Sequence, residues 1–334
     1  MNLTGKLDNI TENAYKEAKS KVNIPLVMKA VIPKKQIREG MVVKPTLSGH
    51  MADVIIYIIL FGIMFGALIP MWHTLMASLS DGQQLIAHDG IAWLWVTANG
   101  KPNLEGYLKT ISYSNMALIK SYGITILYVF GNIFFGLIIN ITGAYVIYRG
   151  PKLAKVFTMI LVFTMLFNGG MVPTYMVIRN LGMTGTPWAL MLPGCTNAMF
   201  LILQMNAFKQ VPVSTVESAQ LDGAGHFTMM FRILLPQARG LTLVTIINIA
   251  ILSWNSWFEA SIYVPQNREL WPLQLWIRQI VADNATTINS AAVDWNRYLV
   301  SYCVILIATL PVLIAMPFAQ KQLQKGALMG AVKE

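Results

Sequence analysis

The stretch SYGITILYVFGNIFFGLIINITGAYVIY, residues 121–148, decides the fold because it runs for 28 residues without a charged side chain. About 20 consecutive apolar residues are enough for a helix to cross the hydrocarbon core of a bilayer. Charged residues make up 12% of the 334 residues and hydrophobic residues 55%, whereas soluble domains carry about 25% charged residues. The sequence therefore predicts an all-α membrane protein.

Apolar runs of similar length lie on both sides of this stretch. The six predicted spans are 54–79, 121–148, 156–178, 188–208, 240–262 and 298–319. They form a six-helix domain over 51–320, with a tail at 1–50, a loop at 209–239 and a second tail at 321–334. Because the number of spans is even, both termini are expected on the same side of the membrane.

The distribution of lysine and arginine predicts which side that is. If the termini are cytoplasmic, 18 of the 25 basic residues lie in cytoplasmic segments, as the positive-inside rule requires. The net charge of +10 is then explained by topology and not by nucleic-acid binding. We expect a multi-pass membrane protein with cytoplasmic termini.

The loop at 209–239 is too polar to cross the bilayer and too patterned to be a simple connection. Ser214 and Glu217 have the spacing of a capping box, which predicts a helix starting just after Pro212. Gly223 supplies a backbone suited to a sharp turn. A second amphipathic stretch follows and is expected to end at Pro236. The loop is therefore predicted to hold two short helices joined by a bend.

The same loop resembles the EAA loop of ATP-binding-cassette (ABC) importer permeases. That pattern is Glu-Ala-Ala, three residues, Gly, nine residues, then Ile-x-Leu-Pro. Here Glu217-Ser218-Ala219, Gly223 and Ile233-x-Leu235-Pro236 match it, with Ser218 as the one departure. The ending QKGALMGAVKE and the stretches WPLQLWIRQI and NGGMVPTYMVIRNLGMTGTPWALMLP are similar to carbohydrate-type permeases, in the branch that serves complex oligosaccharides.

This resemblance implies a type I importer permease of the MetI-like fold, without a cofactor of its own. It implies a second permease, two ATPase subunits, an extracellular solute-binding protein and a carbohydrate substrate as partners. The loop would dock on the ATPase, with Glu217 as a charged anchor and Gly223 as the bend. The expected coupling residues are Ser214, Glu217, Ser218, Ala219, Asp222, Gly223, Ala224 and Pro236.

Catalytic and nucleotide-binding signatures are missing from the sequence. The phosphate-binding pattern G-x-x-x-x-G-K-[ST] does not occur, and neither does H-E-x-x-H or G-x-S-x-G. We therefore expect a transport component and not an enzyme. The alternative is an ion-coupled secondary transporter, a class that usually shows charged residues in mid-span or inverted repeats.

Polar side chains inside spans are the candidates for a translocation path, since an unpaired polar group in hydrocarbon is costly. Hydrogen bonds between helices are the other explanation. The candidate path residues are Asn197, Gln204, Asn248, Ser253, Trp254, Asn255 and Trp257. The segment 264–297, between the last two spans, is the candidate contact with the solute-binding protein. Its named residues are Trp271, Leu273, Gln274 and Trp276.

Overall fold

The computed structural model describes residues 37–38, 41–42, 47–113, 117–167, 169–195, 197–287 and 295–331. Within these ranges a short hairpin, β1 (Ile37–Arg38) and β2 (Met41–Val42), pairs antiparallel with Ile37 opposite Val42. The rest of the regular structure is helical. Most of the predicted tail 1–50 lies outside the described residues.

Fourteen helical segments are used below, numbered in chain order. They are α1 (Leu47–Ser78), α2 (Gly82–Ala87), α3 (Glu105–Tyr113), α4 (Ala117–Arg149), α5 (Pro151–Leu166), α6 (Met171–Asn180), α7 (Trp188–Cys195), α8 (Ala198–Lys209), α9 (Val213–Leu221), α10 (His226–Gln237), α11 (Arg239–Trp254), α12 (Phe258–Tyr263), α13 (Leu273–Thr287) and α14 (Trp295–Ala331). A short 3₁₀ helix, Arg268–Leu270, precedes α13.

The chain divides into two compact units, one up to residue 67 and one from residue 68 onward. In the first unit, the side chains from Met51 to Ala67 are all exposed, and most of them are apolar. Such a surface is unfavourable in water and suits a lipid environment.

Helix α4 is the centre of the second unit. It packs against α5, α7, α8, α11 and α13, while α14 packs against α3, α11 and α13. Its buried face carries small and polar residues at helical spacing: Ser121, Thr125, Asn132, Gly136 and Asn140. A Cβ atom added at Gly136 would come within 3.1 Å of Ile249 Cδ1 and 3.3 Å of the Cys195 carbonyl oxygen. The close packing around α4 therefore depends on small residues, as is common between membrane helices.

Among the described residues, three helices are long and apolar enough to cross a membrane on their own: Met51–Ser78, Ala117–Arg149 and Leu299–Gln320. Three further pairs of shorter helices pass the same test together, each with a bend of more than 40° between its members. The structure thus allows up to six spans by length and composition.

Two of the predicted spans are not continuous helices. The range 156–178 is interrupted between α5 and α6, whose axes differ by 111°. There Gly170 has a φ of +89°, a conformation that cannot continue a right-handed helix. The range 188–208 bends by 46° between α7 and α8. Asn197 is extended at this point, and its side-chain oxygen accepts a hydrogen bond from the Met199 N–H at 2.9 Å, which starts α8 afresh.

A third predicted span, 240–262, is also interrupted, whereas the last one, 298–319, agrees with the apolar stretch Leu299–Gln320. Helix α11 ends at Trp254 and not at 262, because Asn255 leaves the helical path and its side-chain nitrogen donates to the Ile251 carbonyl. Residues 258–263 form the separate helix α12. At the other end of the sequence, α14 continues to Ala331, so most of the predicted tail 321–334 is helical.

Candidate functional site

The loop between α8 and α11 folds as two helices, α9 and α10, as predicted, but α9 does not begin with a capping box. Its N-cap is Pro212, and no side chain caps the helix. Pro212 has a ψ of 131°, and its carbonyl accepts from the Thr215 N–H, so Ser214 already lies inside the first turn. The Ser214 carbonyl accepts a hydrogen bond from the Ser218 hydroxyl at 2.8 Å. The predicted capping role of Ser214 and Glu217 was therefore wrong.

The end of α9 is a tight turn centred on Gly223, as predicted. Gly223 has a φ of +75°. The Ala224 N–H donates to the Ala219 carbonyl at 2.9 Å, and the Gly223 N–H donates to the Gln220 carbonyl at 3.1 Å. These two bonds form a Schellman motif, which closes the last turn of a helix and reverses the chain direction. The turn places α10 beside α9.

Helix α10 contains a wide π-helical turn over Met229–Leu234. The Leu235 N–H donates to the Met230 carbonyl, five residues earlier. Pro236 follows directly, lacks an N–H, and would clash with the carbonyl four residues before it in a regular α-helix. The wider turn relieves this conflict. Helix α10 ends at Gln237, one residue beyond the predicted stop, and α11 leaves at 85° to it.

Both loop helices are anchored to the ends of α4, α8 and α11 by an apolar core, called here the inner cluster. Its buried members are Ile141, Ala144, Tyr145, Ile147, Met205, Ala207, Phe208, Val211, Val216, Ala219, Met229, Met230, Leu234, Ala238 and Leu241. The Tyr145 hydroxyl also lies 3.0 Å from His226 Nδ1. The loop is therefore a packed part of the bundle.

The surface of the loop that faces away from the inner cluster combines charge with apolar side chains. Glu217 is exposed, and among the described residues it has no hydrogen-bond or ion-pair partner. Leu221 and Phe227 are 89% and 77% exposed. This surface therefore places an exposed carboxylate near exposed apolar side chains.

An open groove of about 500 Å³ lies between α9 and α10. Its lining residues are Ser214, Thr215, Ser218, Ala219, Asp222, Arg232, Ile233 and Gln237. Four of these were predicted as coupling residues, and Arg232 and Gln237 were not. Arg232 is the one arginine or lysine between Lys209 and Arg239. This isolated position is the sequence feature that could have marked Arg232 as a candidate site residue.

The predicted path residues are spread over α8, α11 and the segments next to them, and each has a partner among the described residues. Gln204 is buried and its amide nitrogen donates to Thr242 Oγ1 at 3.1 Å, while Ser253 Oγ accepts from Asn132 Nδ2 at 3.0 Å. Asn197 caps α8, and Asn248 and Asn255 donate to carbonyls of their own helix. The ring of Trp254 packs against Tyr122, and the Trp257 ring lies under the Arg278 guanidinium at 3.7 Å. Most of these residues therefore hold helices together.

Within the described ranges, some buried polar atoms of the bundle have no protein partner. They are Asn132 Oδ1, both amide atoms of Asn140, Gln204 Oε1 and Trp254 Nε1. A buried amide without a partner is destabilising unless water or another group satisfies it. Asn140, one of the polar span residues visible in the sequence, is the position where this cost is greatest.

The predicted contact residues in 264–297 were partly wrong. Trp271 is buried and its indole N–H donates to the Val264 carbonyl at 2.9 Å. Leu273 is fully buried, and its backbone N–H donates to Thr125 Oγ1 at 2.8 Å. Gln274 and Trp276 are partly buried. Leu273 thus fastens the segment to α4, and the exposed residues of the segment include the turn 265–269 as well as Arg278 and Val281.

Comparison with known proteins gives relatives over most of this chain. LplC of Bacillus subtilis (strain 168) is 35% identical over 228 residues, covering 66% of this chain and 76% of LplC. The polygalacturonan/rhamnogalacturonan transport system permease protein YtcP of the same organism is 29% identical over 294 residues, covering 86% of this chain and 100% of YtcP. A bacterial ABC transporter that imports the acidic polysaccharide alginate contains a chain that superposes with a TM-score of 0.73 at 24% identity, covering 84% of this chain and 99% of that one.

Residues 132–328 match a family described as binding-protein-dependent transport system inner membrane component. This range includes the whole α9–α10 loop and more than half of the chain. The resemblance inferred from the loop, the all-α permease fold and the absence of an enzymatic role are thereby confirmed. The chain belongs to the family of binding-protein-dependent transport system inner membrane components, as a multi-pass ABC importer permease.

Proposed function

We propose that this chain forms part of the translocation path of a bacterial ABC importer for an oligosaccharide. It would pair with a second, non-identical permease and be driven by two ATPase subunits. A solute-binding protein would deliver the substrate from outside the cell. The relatives support a carbohydrate: YtcP is named for polygalacturonan and rhamnogalacturonan transport, and another relative, LacG of Rhizobium radiobacter, is named for lactose.

The α9–α10 loop is the proposed docking site for the ATPase. Its exposed surface offers the Glu217 carboxylate, which has no partner in the described part of the chain, together with the apolar side chains of Leu221 and Phe227 and the groove that Arg232 lines. Ser214, Ser218, Ala219, Asp222, Gly223, Ala224 and Pro236 would support the same surface or its geometry. An exposed charge beside apolar side chains is a favourable arrangement for a specific protein contact.

The packing of the loop supports its role in force transmission, and this packing is the observation that carries the proposal. Val216 and Ala219 of α9 and Leu234 of α10 are buried in the inner cluster with residues of α4, α8 and α11. Because close-packed interiors are stiff, a displacement of α9 by the ATPase would move the ends of α4, α8 and α11 together. Such a motion would switch the bundle between inward-facing and outward-facing states.

On the opposite side of the bundle, the turn 265–269 is the proposed contact with the solute-binding protein. Its side chains are exposed. The bond from the Trp271 indole N–H to the Val264 carbonyl joins the two ends of the turn, and the bond from the Leu273 N–H to Thr125 Oγ1 fixes the following segment to α4. A rigidly held, exposed turn is well suited to probing a partner's cleft. This assignment replaces the predicted contact through Trp271 and Leu273.

The docking role is tested by charge reversal at Glu217. We expect Glu217→Lys to lower co-purification of the ATPase by about tenfold or more, which corresponds to about 1.4 kcal/mol or more of binding free energy. Glu259→Lys is the matched control, since Glu259 is another exposed carboxylate and lies on α12, away from the loop. Equal ATPase recovery with both variants, at equal membrane insertion, would exclude Glu217 from the contact.

The substrate class is tested separately with the importer in proteoliposomes. We expect ATP-dependent uptake of an oligosaccharide when the cognate solute-binding protein is present. A panel of acidic and neutral oligosaccharides, with lactose and glycerol 3-phosphate as small competitors, identifies the class. Uptake restricted to a small non-sugar solute would overturn the carbohydrate assignment and leave the docking role intact.

A further inference from the structure

We propose that α3 is an interfacial helix whose apolar face is buried in the membrane leaflet at the end of the bundle opposite the α9–α10 loop. This proposal goes beyond the proposed transport function and depends only on the chain being a membrane protein. The occupant of the face is lipid: the acyl chains just below the headgroups. The apolar face of α3 is defined by Leu104, Leu108 and Ile111.

The amphipathic pattern of α3 divides its surface into three faces. With about 100° of rotation per residue, Leu104, Leu108 and Ile111 lie on one side, and they are 59%, 69% and 58% exposed. Glu105 and Lys109 occupy a second side and form an ion pair at 2.7 Å. Gly106 and Thr110, both buried, occupy the third. A protein-facing side, a charged side and a bare apolar side are what a helix needs to lie at a membrane surface.

The packing of the third face fixes the depth of α3. A Cβ atom added at Gly106 would lie 2.8 Å from both Cys303 Sγ and Leu299. These two residues lie in the first turns of the apolar stretch Leu299–Gln320, which is long enough to cross the membrane. The Tyr107 hydroxyl also lies 2.9 Å from Ser78 Oγ, at the end of α1. Helix α3 therefore lies where two long apolar helices reach the bilayer boundary.

The charged face of α3 suits the water side of such a boundary. The hydrogen bond that Lys109 donates to Glu105 is the main cause that lowers the pKa of the Glu105 carboxyl, so this carboxylate stays charged at neutral pH. The pair lies on the same helix as the apolar face but is turned away from it by about a quarter to a third of a turn. One side of α3 can thus enter lipid while the charged pair stays hydrated.

Tryptophans next to α3 support the same location. Trp93 and Trp95 are exposed, and the segment that carries them is tied to the end of α1 by the bond from the Trp72 indole N–H to the Trp93 carbonyl at 3.0 Å. Tryptophan is enriched at membrane–water interfaces. The backbone of the turn after α1 joins the two segments, since the Asp81 N–H donates to the Val96 carbonyl and the Asn103 N–H to the Leu79 carbonyl.

A protein partner explains the apolar face of α3 less well. A stable protein interface buries about 800 Å² on each partner, whereas this face consists of three aliphatic side chains. The face also belongs to a helix that packs against α14, whose apolar stretch Leu299–Gln320 is long enough to cross the membrane. Lipid therefore accounts for both the small size of the face and its position.

The experiment places a nitroxide spin label on α3 in the assembled importer, reconstituted in proteoliposomes without the solute-binding protein. The labelled variants are Leu104→Cys, Leu108→Cys and Ile111→Cys, and the matched control on the charged face is Glu105→Cys. The native thiols Cys195 and Cys303 are buried, and the unmodified chain gives the labelling background. Power saturation then compares accessibility to oxygen, which concentrates in lipid, with accessibility to a water-soluble nickel chelate.

We expect labels at 104, 108 and 111 to favour oxygen and the label at 105 to favour the nickel chelate. Three labelled positions keep the result interpretable if one variant fails to assemble. Nickel accessibility at 108 equal to that at 105 would show a face in water and overturn the proposal. Low accessibility to both reagents at 104, 108 and 111 would show cover by a protein chain, such as the second permease, and would overturn it equally.

Discussion

Gly223 is the residue whose backbone sets the geometry of the α9–α10 loop. Its φ of +75° costs a residue with a Cβ about 1–2 kcal/mol. We expect Gly223→Ala to lower the midpoint of thermal unfolding and to weaken ATPase co-purification, whereas Gly223→Asn should do so less because asparagine tolerates this conformation. No atom lies within 4 Å of the added Cβ, so a steric clash is not the cause. An alanine variant as stable as the unmodified chain would mean that the turn does not use a positive φ.

The role of a single residue could be predicted where its own backbone conformation sets that role. It could not be predicted where contacts with distant parts of the chain set it. Gly223 occupies its turn because glycine adopts a positive φ easily, so the sequence pattern was sufficient to predict the turn. Ser214 was mistaken for a helix cap because Pro212, two residues earlier, starts the helix without any side-chain bond. Trp271 and Leu273 were mistaken for surface residues because their partners, the Val264 carbonyl and Thr125 Oγ1, are visible only in the folded chain.

At the scale of elements, a buried hydrogen bond joins the first residue of α13 to the central helix α4. Thr125 Oγ1 accepts from the Leu273 N–H, and both residues are fully buried. Thr125→Val would leave this N–H without a partner at a cost of about 1–3 kcal/mol. We expect a lower midpoint of thermal unfolding and faster proteolysis within 265–269. Thr142→Val is the control, since Thr142 lies on the same helix and bonds only to carbonyls of α4. Equal loss in both variants would contradict the anchoring role.

The helices themselves were predictable from uncharged runs, but their interruptions were not. A count of charged and apolar residues does not reveal the positive φ of Gly170, the extended backbone of Asn197 or the end of the helix at Asn255. All three lie in stretches that are apolar enough to read as one span. The breaks follow from local backbone conformation and from polar side chains that bond to nearby main-chain groups.

At the scale of the whole molecule, the fold class and the family could be predicted from the sequence, because both depend on features that do not require tertiary contacts. Long uncharged runs predict membrane helices, and the spacing of Glu217, Gly223 and Pro236 within one loop carries the family resemblance. The path residues depend on which helices meet. Gln204 bonds to Thr242 and Ser253 to Asn132, pairs separated by 38 and 121 positions in the chain, and the sequence does not indicate such partners.

The orientation predicted from basic residues leads to a test on two exposed glutamines at opposite ends of the bundle. Gln220 lies on α9, and Gln266 lies in the turn before α13. We expect Gln266→Cys in spheroplasts to react with a membrane-impermeant maleimide. In cells that lack the ATPase, Gln220→Cys should react only after the membrane is permeabilised, because the positive-inside rule places the α9–α10 loop in the cytoplasm. Cys195 and Cys303 are buried, so the unmodified chain gives the background. Labelling of Gln220→Cys from outside would reverse the orientation and remove the loop from reach of any cytoplasmic ATPase.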